Sequence, residues 1–235
     1  MSIEEKVNDV VGHLKQIESA YSQAAFACSF GAEDMVLLDL IARKARRIEV
    51  FTIDTGRLPD ETYALVDDVR NRYSVKVRVY FPDARLVEAW VEQNGANAFY
   101  RSVAQRKQCC HIRKVLPLQR ALGGKASWLT GLRREQSAAR KSLAHQEWDE
   151  SNRLHKFSPL LDWTEDDVWT YLKLHDVPYN SLHDSGFPSI GCAPCTRAVS
   201  PGEDIRSGRW WWEQASTKEC GLHAETKTPE KELTV

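Results

Sequence analysis

The stretch that decides the fold is residues 24–34, with the sequence AAFACSFGAED. Residues 24–28 form a short apolar run, which predicts a buried strand. A loop containing glycine follows, and residues 35–45 are apolar at helical spacing. A strand, a glycine loop and a helix in this order can aim free backbone N–H groups at an anion. An ordinary turn between strand and helix is the alternative.

The alternation of strands and helices continues along the chain. Strands are predicted at residues 48–54, 75–81, 126–130 and 154–157, and helices at 2–20, 60–72, 83–93, 98–121 and 164–175. The strand at 75–81 has a basic face and is expected near a sheet edge. We therefore expect an α/β fold, with an open, mostly parallel sheet and helices on both faces. The strand order does not follow from the sequence.

Size and charge restrict the classes of function. The chain of 235 residues is long enough for one sizeable α/β domain with a tail. It carries 32 basic and 33 acidic residues, and this balance gives no general attraction to nucleic acid or to an anionic membrane. The first residues do not have the pattern of a signal peptide, and no apolar run approaches the roughly 20 residues that cross a bilayer. We therefore expect a cytoplasmic protein with neither nucleic acid nor membrane as a partner.

Four of the six cysteines form two tight pairs. Cys109 and Cys110 are adjacent, and Cys192 and Cys195 have the spacing C-x-x-C. Two such pairs are typical of a four-sulfur metal site. Adjacent cysteines suit an object with separated metal corners, such as a 4Fe–4S cluster. Zinc, unrelated buried thiols and disulfides are the alternatives, and a reducing compartment disfavours the last.

Polar segments after the strands are candidates for ligand binding. Asp54-Thr55-Gly56 follows a strand at the edge where open sheets bind ligands, although a tight turn with a capping residue explains it equally well. The loop 131–141 carries four cationic side chains, which suit a phosphate or sulfate group but also an ordinary surface loop. The long loop 176–208 is rich in glycine and proline, and a metal site at its cysteines would account for its length.

The C-terminal stretch has one distinctive element, residues 218–223, with the sequence KECGLH. A cysteine followed by glycine in a polar stretch is predicted to be exposed and mobile. An exposed free thiol points to a reactive role, with an incidental thiol as the alternative. We therefore divide the chain into one domain at residues 1–212 and a mobile tail at residues 213–235 that carries Cys220.

Taken together and in this order, the motifs resemble the iron–sulfur, adenylylsulfate-reducing branch of the 3′-phosphoadenylylsulfate (PAPS) reductase family. The resemblance rests on SFGAED, DTG and TGLRREQ after three of the strands, on both cysteine pairs and on KECGLH. It covers nearly the whole chain. It implies a fold like that of the adenine nucleotide alpha hydrolases. It also implies reduction of adenylylsulfate (APS) to sulfite and AMP in sulfate assimilation.

The resemblance further implies a role for each motif residue. Cys220 would be the nucleophile that becomes an S-sulfocysteine, and thioredoxin or a glutaredoxin-like protein would be the reductant. Cys109, Cys110, Cys192 and Cys195 would hold a 4Fe–4S cluster. Substrate contacts are implied for Ser29, Phe30, Gly31, Asp54, Thr55, Gly56, Lys114, Gly131, Arg133, Arg140, Arg206, Arg209 and His223. Lys141 competes with Arg140 for one contact, and the family is compatible with a homo-oligomer.

Three alternatives remain open. A PAPS reductase would perform the same chemistry on a 3′-phosphorylated substrate, although that branch generally lacks the cluster cysteines. A related nucleotide alpha hydrolase would split ATP to adenylate a substrate and would not need Cys220. A non-enzymatic iron–sulfur or zinc regulator of nucleic acid is disfavoured by the neutral net charge and by the absence of a helix-turn-helix pattern.

Overall fold

The computed structural model describes residues 1–137 and 140–214. Within these ranges, six strands form one sheet in the order β3-β2-β1-β4-β6-β5. The strands are β1 (Ala24–Ala27), β2 (Glu49–Ile53), β3 (Val77–Tyr80), β4 (Ser127–Leu129), β5 (Gln146–Asp149) and β6 (Leu154–Phe157). The α-helices are α1 (Ile3–Ala20), α2 (Ala32–Lys44), α3 (Asp60–Arg72), α4 (Ala84–Asn94), α5 (Val103–Cys110), α6 (Leu116–Leu122) and α7 (Glu165–Leu174).

Helices cover both faces of the sheet, as expected. Neighbouring side chains on a strand point to opposite faces, and β1 shows the consequence. Phe26 packs into the larger core with α1, α2, α3 and α7, whereas Ala25 packs into a second core with α6. All neighbouring strands are parallel except β5 and β6, which are antiparallel. The predicted open and mostly parallel sheet is therefore confirmed.

The strand order positions a crevice. The chain places β2 and β3 on one side of β1 and then returns to place β4 on the other side. The loops after β1 and β4 therefore diverge, and ligands bind in open α/β sheets at such a point. The loop after β1 is part of the stretch that decided the fold. It ends at Gly31, the N-cap of α2.

Two expectations about secondary structure were wrong. Residues 146–149 form β5, a polar strand that pairs with β6 at the sheet edge and was not predicted. The helix predicted at 98–121 is broken, because the Ser102 side chain accepts a hydrogen bond from the Gln105 N–H and starts α5 anew. A π-helical turn at His111–Val115 then separates α5 from α6. β3 lies at a sheet edge, as predicted.

The loop 176–208 contains short 3₁₀ turns at Ser181–Ser185 and Ala193–Cys195 but no longer regular element. Its C-x-x-C part packs into a third core with Trp90, Phe99 and Trp210. None of the helices described here is long and apolar enough to cross a membrane.

Candidate active site

A cavity of about 250 Å³ lies at the carboxyl ends of β1, β2 and β4. Among the residues predicted to contact substrate, those that line this cavity are Ser29, Gly31, Thr55, Lys114, Gly131, Arg133, Arg140, Arg206 and Arg209. Five of these side chains are cations. The main cavity, as we call it from here on, is therefore suited to an anionic ligand.

The loops after β1 and β4 are joined beneath the main cavity. The buried carboxylate of Asp34 accepts hydrogen bonds from the Ser29 N–H and hydroxyl, each at 2.6 Å. Gly131, after β4, also donates its N–H to Asp34. Burial, with a smaller contribution from the nearby Glu33 carboxylate, raises the pKa of Asp34 to about 7. Ser29 thus lines the main cavity, and its hydroxyl also binds the Asp34 carboxylate.

A second network joins the loop after β4 to α2. The Gln136 side-chain oxygen accepts a hydrogen bond from the Arg133 N–H at 3.1 Å and another from the Arg140 guanidinium. The Gln136 amide donates to Glu33. Arg140 lines the main cavity, whereas Lys141 does not. This placement favours Arg140 for the contact that the sequence left open between them.

Arg209 reaches the main cavity from the far end of the long loop. Its guanidinium donates to the Ile190 carbonyl at 3.0 Å and lies 4.9 Å from the centre of the Trp210 ring. A side chain at Gly191 would displace this guanidinium from the position that it occupies. Arg206 lines the same cavity. The two arginines add positive charge to the cavity that Lys114 also lines.

Three residues predicted to contact substrate do not line the main cavity. Phe30 adopts a φ of 61° and buries its ring in the larger core. The Asp54 carboxylate accepts hydrogen bonds from the Gly56 N–H at 2.7 Å and from the Tyr63 hydroxyl at 3.0 Å. Asp54 and Gly56 thus form the tight turn that was the alternative for this motif. Their contact with substrate stays a prediction.

The four predicted cluster ligands, Cys109, Cys110, Cys192 and Cys195, line one small cavity beside the main one. Burial, followed by the charge of the neighbouring Cys192, raises the pKa of Cys195 to about 12. The Thr55 hydroxyl lies 3.2 Å from the Cys192 sulfur. All five cysteines in the described ranges are free thiols.

Cations surround this cysteine cavity. It is lined by Arg57, Arg106, Arg113 and Lys114. Arg113 donates to the Thr55 carbonyl at 2.7 Å, which ties the π-helical turn to the loop after β2. Lys114, on the same turn, lines both cavities. π-Helical turns are frequent at functional sites. Here the turn carries Lys114, the residue that lines both the cysteine cavity and the main cavity.

The residues of the cysteine cavity fit an iron–sulfur cluster in their chemistry. Among the described residues, no three His, Cys, Asp or Glu side chains are arranged to hold a metal ion. The cysteine cavity has a volume of about 10 Å³. The donor set is nevertheless four thiols in two pairs, and the neighbouring cations Arg57, Arg113 and Lys114 would offset the negative charge of four thiolates. Adjacent cysteines are suited to separate metal corners rather than to one ion.

Two predicted residues, Cys220 and His223, lie outside the described ranges, as does most of the predicted tail. The chain that leads to them is tied to the cysteine cavity. The Trp210 N–H donates to the Cys195 carbonyl at 3.1 Å. Glu213 forms a buried ion pair with Arg106, N to O 2.7 Å. The predicted division of the chain at residue 212 stays a prediction.

Sequence reasoning missed some of the cavity wall. Glu33, Gln136 and His183 line the main cavity. Glu33 lies in the stretch that decided the fold, and Gln136 lies in the quoted loop after β4, so both could have been found there. His183 lies in the long loop without any motif around it. Burial lowers its pKa, and its Nδ1 lies 2.8 Å from the Phe187 carbonyl oxygen.

One known protein family matches most of the chain. The profile of the phosphoadenosine phosphosulfate reductase domain matches residues 23–198. The chain belongs to the phosphoadenosine phosphosulfate reductase family. The resemblance of the motifs to this family is thereby confirmed.

Relatives within the phosphoadenosine phosphosulfate reductase family are similar over nearly their full length. A protein named adenosine 5′-phosphosulfate reductase from Burkholderia cepacia is 52% identical over 224 residues, which are 95% of this chain and 90% of that one. A protein of the same name from Neisseria meningitidis serogroup B is 48% identical, over 94% of this chain and 91% of its own.

Solved structures agree in fold. The phosphoadenylyl-sulfate reductase of Candida auris, in a phosphate complex, superposes with a TM-score of 0.70 at 26% identity. It covers 85% of this chain and 98% of its own. The FMN adenylyltransferase of Candida glabrata superposes with a TM-score of 0.57 at 16% identity, over 93% of this chain and 78% of its own, which is a likeness of fold alone.

Proposed function

We propose that this chain reduces adenylylsulfate to sulfite and AMP in sulfate assimilation, with Cys220 as the nucleophile. The observation that carries the proposal is the pairing of a cationic main cavity with a four-thiol cavity that shares Lys114 with it. The names of the relatives at 48–52% identity support the choice of adenylylsulfate as substrate.

In the first step, the Cys220 thiolate attacks the sulfur of the sulfate group. The bond between that sulfur and the bridging oxygen breaks, AMP leaves with the electron pair, and Cys220 becomes an S-sulfocysteine. An anion attacks an anion here, so positive charge must offset the repulsion. Lys114, Arg206 and Arg209, which line the main cavity, are proposed to supply that charge. His223 is proposed to orient or polarise the thiolate.

In the second step, a thiolate of an external dithiol attacks the Cys220 sulfur. Sulfite leaves with the electron pair and a mixed disulfide remains. The second thiol of the dithiol then attacks this disulfide and releases Cys220, so that the dithiol is oxidised by two electrons. Thioredoxin or a glutaredoxin-like protein is the proposed dithiol. Cys220 must therefore meet two partners, one bound in the cavity and one outside.

Cys109, Cys110, Cys192 and Cys195 are proposed to hold a 4Fe–4S cluster. When bound, the cluster would supply a fixed charge and electrostatic field beside the sulfate group. The two electrons come from the dithiol in this scheme. The task of the cysteine cavity is therefore to orient Lys114 and to pin the long loop against α5.

The test is sulfite formation from adenylylsulfate with a dithiol protein as reductant. We expect sulfite and AMP in equal amounts, and preference for adenylylsulfate over its 3′-phosphorylated form when both are present at equal concentration. Preference for the 3′-phosphorylated form would assign the chain to the other branch. AMP release without sulfite, and undiminished in Cys220→Ser, would refute the proposal in favour of a nucleotide hydrolase.

A further inference from the structure

A buried ion pair fixes the chain just before the C-terminal segment. Arg106 donates two hydrogen bonds to the Glu213 carboxylate, from Nε to Oε1 at 2.8 Å and from Nη2 to Oε2 at 2.7 Å. The two side chains are only 1% and 2% exposed. Two parallel bonds between a planar guanidinium and a carboxylate fix orientation as well as distance.

The pair lies beside the cysteine cavity and contacts Trp210, which lines both cavities. Arg106 lines the cysteine cavity from α5, one helical turn before Cys110. Its guanidinium lies 4.8 Å from the centre of the Trp210 ring, and that of Arg209 lies 4.9 Å from the same ring. The Glu213 N–H donates to the Trp210 carbonyl at 2.8 Å. Glu213 is thus two contacts from Arg209, which lines the main cavity.

Stability alone does not explain a charged pair at this place. The free-energy cost of removing two charges from water offsets most of the attraction between them. Replacing a buried ion pair by apolar side chains of similar volume often leaves a protein equally stable or more stable. The two parallel hydrogen bonds of the pair instead fix the orientation of the Glu213 side chain relative to α5. The pair thereby fixes the position and orientation of the chain at residue 213.

Cys220 lies seven positions after Glu213. Seven residues span at most about 25 Å, so the anchor limits the volume that the Cys220 thiol can explore. A smaller volume around the bound nucleotide means a higher effective concentration of the thiol there. We propose that Arg106 and Glu213 are positioning residues that set the origin of the C-terminal segment so that the Cys220 sulfur meets the bound nucleotide. The inference rests on the proposed function, in which Cys220 is the nucleophile.

The test measures the rate at which SO3 is transferred from adenylylsulfate to Cys220 in the absence of a reductant. The reaction is quenched rapidly at successive times, and the modified protein is quantified by mass spectrometry. Glu213→Gln keeps the shape of the side chain and removes the charge. We expect its transfer rate to fall by about 10-fold to 100-fold, because small misplacements of a reacting group have effects of that size. AMP affinity and iron content should stay at the wild-type values.

Two further variants separate positioning from folding. Glu203→Gln is the matched control, because Glu203 forms an equally bidentate but exposed pair with Arg197, at 2.8 and 2.9 Å. Its transfer rate should not change. The double variant Arg106→Met with Glu213→Leu keeps a packed interior without the directed pair. Its transfer rate should fall as much as that of Glu213→Gln. The rate of alkylation of Cys220 by iodoacetamide should be the same in all variants, because this reaction does not require the thiol to be positioned.

The outcomes distinguish the two proposals. Wild-type protein that transfers no SO3 to Cys220 would overturn the proposed function and this inference with it. Wild-type transfer together with an undiminished rate in both Glu213→Gln and the double variant would overturn the inference alone. A parallel loss of transfer rate, AMP affinity and iron content would also overturn it, since the pair would then serve only the fold.

Discussion

Gly131 illustrates at the level of one residue how the main cavity is formed. A Cβ at this position would collide with the Asp34 carboxylate and would lie 3.0 Å from the Glu33 side chain. Gly131 follows β4, whereas Asp34 belongs to the first turn of α2, after β1. The missing side chain therefore permits the close approach of the two loops that border the crevice.

Gly131→Ala should weaken AMP binding by about 10-fold or more and lower the free energy of unfolding by about 1–3 kcal/mol, because the added methyl group must displace a packed neighbour. Gly12→Ala is the control. No atom lies within 4 Å of a Cβ at position 12 in the middle of α1, so stability should rise by about 0.5–1 kcal/mol. Calorimetric titration and denaturant unfolding measure both effects. Unchanged AMP affinity in Gly131→Ala would contradict the account of the loop contact.

Asp34 should couple stability to pH. Its pKa is about 7 in the folded protein against an ordinary value of 3.8, so between these values the folded state keeps a proton that the unfolded chain has lost. This group therefore lowers the free energy of unfolding as pH rises from about 4 to about 7, with no further effect above. In that window, the free energy of unfolding of the wild type should fall relative to that of Asp34→Asn by up to about 1.4 kcal/mol per pH unit. Urea unfolding at several pH values measures the difference, and a constant difference would speak against the raised pKa.

Lys114 is the cation shared by both cavities. Lys114→Ala should lower the turnover of adenylylsulfate by about 100-fold or more, because the charge that offsets the meeting of thiolate and sulfate is lost. Iron content and AMP affinity should be maintained. Lys15→Ala, on an exposed face of α1, should leave turnover unchanged. Wild-type turnover in Lys114→Ala would refute the role given to this residue.

At the level of elements, the cysteine cavity joins two parts of the chain that are distant in sequence. α5 contributes Cys109 and Cys110, and the loop 176–208 contributes Cys192 and Cys195. The Ala193 N–H also donates to the Arg57 carbonyl at 2.8 Å, so the loop after β2 belongs to the same junction. The junction holds the long loop, and through it Arg206 and Arg209, against the main cavity.

Cys195→Ala should lose the proposed cluster. Anaerobically purified wild-type protein should contain iron and acid-labile sulfide, and Cys195→Ala should contain little of either because one of four ligands is missing. Cys28→Ala is the matched control, since Cys28 is a buried thiol that lines the main cavity and not the cysteine cavity. Its iron content should equal that of the wild type. Full iron content in Cys195→Ala would show that this thiol is not a ligand.

At the level of the whole molecule, the sequence predicted elements with strong periodicity. α3 has the predicted bounds, because Pro59 precedes its first residue and its buried residues Thr62, Leu65 and Val69 recur at helical spacing. β6 also has the predicted bounds, and Ser158 and Pro159 follow its last residue. β5 was missed because Gln146–Asp149 is polar and is held as a strand by its pairing with β6. The strand order depends on contacts between distant residues, so no local pattern reveals it.

The site was predicted where its residues lie in compact motifs, as in the loops after β1 and β4. It was not predicted where partners are distant in sequence. Arg106 lies in a basic run whose ordinary interpretation is a solvated face, yet it is fully buried. Its partner Glu213 is 107 positions away, and no local pattern connects the two.

The central claim is that the reaction proceeds through Cys220. The direct measurement is mass spectrometry of the protein after incubation with adenylylsulfate in the absence of a reductant. The account predicts that Cys220 gains one SO3 group, that AMP is released in equal amount, and that a dithiol protein then removes the group as sulfite. AMP release without an SO3 group on Cys220 would contradict it.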